Sequence, residues 1–182
     1  VSMGGMISQH IAARYPERIL SLTSIMSSSG NPKLPRANKE AMAVLANRPM
    51  SGDPEDMIAY SVRAARVIGS PAYPAEEERL QRRVRGDFER GWYPQGVARQ
   101  MAAIVADGDR RAMLKSITAP TLVVHGEADP LVPLAAGKDT AANIPGARLM
   151  TIPGMGHDLP LALVDMLADA VAGHARELAA AA

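Results

Sequence analysis

Apolar and polar residues alternate over Arg18–Met26 (RILSLTSIM), a β-branched stretch whose period predicts a strand. Before it, Met6–Tyr15 sets Met6, Ile7 and Ile11 against His10 and Arg14 at helical spacing, and Pro16 stops the helix. The loop Ser27–Pro32 follows. From Lys33 to about Arg111 the alternation disappears. Helical stretches take its place at Ala37–Ala46, Glu55–Ile68, Ala75–Arg90 and Gly96–Ala106, separated by Pro and Gly breaks. Within Glu76–Arg83, charges pair at i,i+4 spacing on a solvated helix face. The second half changes texture again. Thr121–His125 is a short continuous apolar run after Pro120, as in a buried parallel strand. Ala135–Asn143 predicts a helix, Ala147–Ile152 a third strand, and Leu161–Leu178 a long amphipathic helix before an alanine tail expected to fray. The order implies an α/β fold with parallel strands and crossover helices. It also predicts two parts: a core of residues 1–32 and 112–182, and an inserted helical subdomain over 33–111.

Composition narrows the function classes. A chain of 182 residues can bury a sizeable core. A net charge of +1 gives no electrostatic case for nucleic acid or a membrane surface. No apolar run reaches the roughly 18 residues of a membrane-spanning helix. With no cysteine, disulfides and thiolate metal sites drop out, and the redox compartment is unread. No signal-peptide pattern opens the chain, and localisation stays open, with the cytoplasm favoured. Aromatic residues are 3% of the chain against 11 Met, so an apolar pocket is expected to be lined mainly by adaptable aliphatic side chains.

Three residues fall in an order that carries chemistry. Ser2 lies in Val1-Ser2-Met3-Gly4-Gly5, a G-x-S-x-G elbow without its leading glycine. Asp129 lies in Gly126-Glu127-Ala128-Asp129-Pro130, just past a strand, and His157 in Gly154-Met155-Gly156-His157, past the next one. Catalytic groups in parallel sheets gather beyond the carboxyl ends of strands. A serine hydroxyl is a weak nucleophile until a histidine takes its proton, and that histidine needs a carboxylate to fix its tautomer.

These blocks resemble the α/β-hydrolase superfamily. So do Tyr15-Pro16-Glu17-Arg18, Leu22–Ser28 and His125–Pro133. Within it the chain is similar to aclacinomycin methylesterase-like esterases over nearly its whole length, least in the helical insert. The resemblance implies a C-terminal part of an α/β-hydrolase fold, with a parallel sheet, flanking helices and an inserted cap. It implies Ser2 as nucleophile, Asp129 as acid and His157 as base. It also implies the Met3 backbone N–H as one oxyanion-hole donor, a small-molecule ester as substrate, and no cofactor or metal. The family places five strands before the elbow, and a loop there supplies the second oxyanion donor; this sequence contains neither. The expectation is therefore an incomplete esterase, weakly active alone, that self-associates through an exposed sheet edge.

Other readings stay open. The scaffold also serves C–C hydrolases, lactonases, aminopeptidases and cofactor-free haloperoxidases, while a serine at the elbow argues against dehalogenases. A non-catalytic remnant that needs a complementing chain is the rival from another class. Glu127 is the nearest substitute acid. His125 reads as structural at a strand end, and His10 and His174 as helix-surface or packing residues. His125, Glu127 and Asp129 lack a second ligand cluster for a metal. Trp92, Tyr93 and the methionines of the insert fit either a substrate pocket or ordinary packing.

Overall fold

The computed structural model describes the chain except Arg48, Met50–Gly52, Trp92 and Ala180–Ala182, together with the side chains of Glu177–Ala179. Helix α1 spans Met3–Arg14 and buries Gly5, Gln9 and Ala12, a stripe of mostly small side chains that lets it approach the sheet closely. It begins three residues earlier than the apolar spacing predicts, because Gly4 and Gly5 add no apolar signal. Pro16 disfavours a helical Tyr15, and Pro16–Arg18 forms a single 3-10 turn. Strand β1 is consequently only Leu22–Ile25, shorter than the predicted Arg18–Met26, and Leu20 is 90% exposed before it.

Helices α2 (Lys39–Ala46), α3 (Pro54–Ile68), α4 (Glu77–Arg90) and α5 (Pro94–Asp107) follow. Asn38 and Asp53 cap α2 and α3 through their side chains, and Pro54 and Pro94 occupy first-turn positions that tolerate a missing N–H. Among the described residues, 33–111 contain no strand. Ile58, Val62, Leu80 and Val84 give α3 and α4 an apolar cluster of their own. A short α6 (Arg111–Leu114), absent from the sequence reading, leads back to the sheet.

Strand β2 (Thr121–Gly126) is buried along its whole length. Helix α7 (Leu134–Asn143), β3 (Arg148–Ile152), a 3-10 turn at Leu161–Leu163 and α8 (Val164–Ala179) complete the chain. The sheet is parallel in the order β1-β2-β3, with Leu22 opposite Thr121 and Leu122 opposite Arg148. Side chains alternate faces along a strand. Leu122 and Val124 therefore join Met26, Ile152, Met155, Leu163 and Leu167 in a core on the α8 side. A second core joins Ala12 of α1, Leu22, Leu114 of α6, Ile117 and Ile144.

Arg110, which is 3% exposed, ties down both ends of the helical stretch 33–111. Its Nε donates to Gln9 Oε1 at 3.0 Å, its Nη2 to Ser28 O at 2.7 Å and its Nη1 to Asp107 Oδ2 at 2.6 Å. On the other side, Ser29 Oγ and Asn31 Nδ2 donate to the two carboxylate oxygens of Asp139 on α7.

Candidate active site

Ser2 sits where the chain turns into α1, with φ 50° and ψ −125°. A positive φ is uncommon for a non-glycine residue and persists only where its surroundings enforce it. Here the Ser2 N–H donates to Ile25 O at 2.9 Å, and the Ser2 carbonyl accepts from Ser27 Oγ at 2.8 Å. Gly5 makes the sharp turn possible. A Cβ there would lie 2.7 Å from both Cβ and Oγ of Ser27.

Asp129 follows the end of β2. Its Oδ1 accepts from the N–H groups of Leu131 at 2.9 Å and Val132 at 2.8 Å, which fixes the carboxylate plane. Gly126 lets the Met155 loop cross the strand end, because a Cβ at 126 would fall on the Met155 carbonyl. Ala128 N–H then donates to that carbonyl at 3.0 Å, joining the two loops.

His157 lies on the loop after β3. Its Nδ1 donates to Asp129 Oδ2 at 2.7 Å. A carboxylate accepts only, so the neutral ring carries its proton on Nδ1 and leaves Nε2 as an acceptor. Ser2 Oγ donates to that Nε2 at 3.0 Å. The three side chains expected to act together thus form one line of hydrogen bonds, and the paired ends of Asp129 and His157 are almost completely buried.

The remaining candidates fall elsewhere. Glu127 accepts from Thr151 Oγ1 at 2.8 Å, and the carboxylate on His157 is that of Asp129. His125 donates from Nε2 to Val132 O at 2.7 Å, and its Nε2 stands 3.7 Å from Asp129 Oδ2. Burial is the main influence on this ring and lowers its pKa below the ordinary 6.5, although the Val132 carbonyl and the Asp129 carboxylate pull the other way. The ring has room only because Gly137 of α7 has no side chain. His10 pairs with Asp107 at 2.7 Å. His174, 4% exposed, donates to Pro120 O at 3.1 Å and accepts from Arg148 at 3.2 Å, pinning α8 to the start of β2.

Tyr93 is 57% exposed with the Arg99 guanidinium 5.8 Å from its ring centre; Met57 is core, Met42 and Met101 are half-exposed, and Trp92 lies outside the described residues. Among the described residues, no group of three or more His, Cys, Asp or Glu is placed to hold a metal, and no helix is long and apolar enough to cross a membrane. The sequence reading missed Ser27 and the segment Ile68–Ala72, whose contacts with the site are long-range and have no local signal.

Residues 1–161 match the alpha/beta hydrolase fold family, and the chain belongs to it. The chain is 28% identical to rhodomycin D methylesterase DauP of Streptomyces sp. (strain C5), over 97% of this chain and 65% of that protein. It is 27% identical to the pimeloyl-[acyl-carrier protein] methyl ester esterase of Chromobacterium violaceum, over 86% of this chain and 60% of the relative. It therefore spans somewhat less than two thirds of the length of these relatives. Among solved structures, Est816, described as an N-acyl homoserine lactone degrading enzyme, superposes with a TM-score of 0.69 at 27% identity, over 94% of this chain and 64% of that one.

Proposed function

We propose that this chain carries the triad of a serine hydrolase of carboxylic esters. The observation that carries the reading is the Ser2–His157–Asp129 line, at 3.0 Å and 2.7 Å. His157 Nε2 takes the proton of Ser2 Oγ as the oxygen attacks the ester carbonyl. Asp129 holds the tautomer that leaves Nε2 free and stabilises the imidazolium that forms. The protonated ring returns its proton to the leaving alcohol, and an acyl group remains on Ser2. Water, deprotonated by the same ring, then releases the acid. The Met3 N–H lies at the first position of α1, where a helix N–H has no intrahelical acceptor, and we assign it as an oxyanion donor. No cofactor enters this scheme.

The methyl esters named for two relatives suggest a small-molecule ester as substrate. We assign residues 33–111 as a cap. Between its helices lies a cavity of about 750 Å³ lined by Ala64, Ile68, Val84 and Phe88 together with the charged Arg83 and Asp87; none of Ser2, Asp129 and His157 lines it. Ile68 also gives its carbonyl to the His157 N–H.

The test is hydrolysis of a short p-nitrophenyl ester, together with labelling by a fluorophosphonate and location of the adduct by peptide mass spectrometry. Turnover and an adduct on Ser2 are expected; an unlabelled Ser2 with full turnover would overturn the reading. A second reading, a non-catalytic remnant that needs a complementing chain, draws on the sheet. Among the described residues β1 pairs with β2 alone, and an open strand edge is a template for association. Sedimentation velocity separates the two: self-association without turnover favours the second.

A further inference from the structure

The loop that carries His157 is bonded, residue after residue, to one short stretch of the insert between α3 and α4. His157 N–H donates to Ile68 O at 2.7 Å. Gly156 N–H donates to Ser70 Oγ at 2.8 Å. The same hydroxyl donates its one proton to Asp158 Oδ1 at 2.5 Å. Ala72 N–H donates to Gly154 O at 3.2 Å. Ser70, 4% exposed, therefore bridges the residues on both sides of His157 and uses its donor and an acceptor lone pair to do so. The fit is close. A Cβ at Gly156 would fall on the Gly69 carbonyl, and one at Gly69 would lie 2.7 Å from Ala65 O.

We propose that Ser70 is a positioning residue for His157, so that the insert sets the geometry of the triad. His157 must satisfy Asp129 on one nitrogen and Ser2 on the other, while its backbone lies beyond the end of β3, outside the sheet ladder. A loop without ladder bonds keeps its place only through contacts such as these. A misplacement of about 1 Å at a reacting group costs about a hundredfold in rate. Ser70 Oγ bonds the main chain of Gly156 and the carboxylate of Asp158, and acts on His157 through them. This role rests on the reading of His157 as general base.

The experiment compares Ser70→Ala, Ser70→Thr and Ser70→Val in the full chain, with turnover of a short p-nitrophenyl ester normalised to folded protein by circular dichroism. Thr and Val have the same shape and differ in the hydroxyl. Ser70→Ala is expected to lower kcat by about ten- to a hundredfold with little change in KM. Thr is expected to restore most of that loss and Val none. Asp158→Ala reaches the same bridge from its partly exposed side and is expected to lower kcat several-fold. A kcat within about twofold of the parent in Ser70→Ala, or equal rates for Thr and Val, would overturn the role. The low-field proton resonance of His157 Nδ1–H gives a readout independent of turnover. If the parent chain hydrolyses no ester, the proposed function fails. The resonance still decides on Ser70: loss or broadening in Ser70→Ala supports the role, and an unchanged signal refutes it.

Discussion

Asp129 meets His157 through one oxygen only; its other oxygen is held by the backbone N–H groups of Leu131 and Val132. This division predicts the effect of Asp129→Asn. The amide oxygen stays with the two backbone donors, which leaves the NH₂ facing His157 Nδ1. The ring must then accept at Nδ1 and carry its proton on Nε2, pointing at Ser2. With the wrong tautomer, kcat is expected to fall roughly 10³–10⁴-fold while KM changes little. Steady-state kinetics on a p-nitrophenyl ester checks it, and a loss under tenfold would remove Asp129 from the mechanism.

Ser2→Ala removes the attacking oxygen and little else. The strained turn is held by backbone bonds, Ser2 N–H to Ile25 O and Ser27 Oγ to Ser2 O, which the variant keeps. Turnover is expected to drop to background and fluorophosphonate labelling to vanish, with a stability change within about 0.5 kcal/mol. Retained hydrolysis would exclude Ser2 as nucleophile.

Gly5→Ala tests the packing under the turn. The new methyl would stand 2.7 Å from Ser27 Cβ and Oγ, and 3.2 Å from Ser24 Oγ, so α1 must lift from the sheet. A loss of about 1–3 kcal/mol in urea unfolding is expected, as for other overpacked sites. Ser27→Gly in the same chain should recover part of the stability, because the clash is with that side chain. It should not recover turnover, because the bond from Ser27 Oγ to the Ser2 carbonyl is lost with it.

Much of this arrangement was legible in the sequence, and the unread parts have a common cause. β2 was readable because Thr121–Gly126 is buried on both faces and written as a continuous apolar run. β1 was overextended because Ile19 and Leu20 continue the alternation of Leu22–Ile25, while a proline-initiated turn and exposure of Leu20 override it. Ser2, Asp129 and His157 were nameable because each lies within three residues of a glycine at the end of an element, where local chemistry marks the position. Ser70, Ser27 and Arg110 carry no such mark. Their partners lie 86, 25 and 101 residues away, at Gly156, Ser2 and Gln9, and only the folded chain brings them together.

Arg110→Met follows from that last network. The side chain is buried, and its removal leaves Gln9 Oε1 without its donor, the Ser28 carbonyl with only the 3.3 Å bond from Gln9 Nε2, and Asp107 with His10. Breaking a buried ionic contact by removing one partner costs about 3–5 kcal/mol, and the partial exposure of Asp107 puts this case at the lower end. Thermal or urea unfolding measures it. A change below about 1 kcal/mol would mean that the ends of the helical stretch 33–111 are held by other contacts.

His125 makes the fold sensitive to acid. Its ring is fully buried, donates to Val132 O and is held neutral mainly by burial, with its pKa below the ordinary 6.5. As pH falls below 6.5, the unfolded chain takes up a proton at this position that the folded ring refuses. The unfolded state then binds more protons than the folded one, so stability falls with falling pH. Well above 6.5 both states are neutral here and the contribution is constant. Urea midpoints between pH 7.5 and 5.5 should therefore decline. The decline should be shallower in His125→Gln, whose amide can still donate to the Val132 carbonyl but does not titrate. Parallel slopes would show that the ring is protonated as readily inside the fold as outside it.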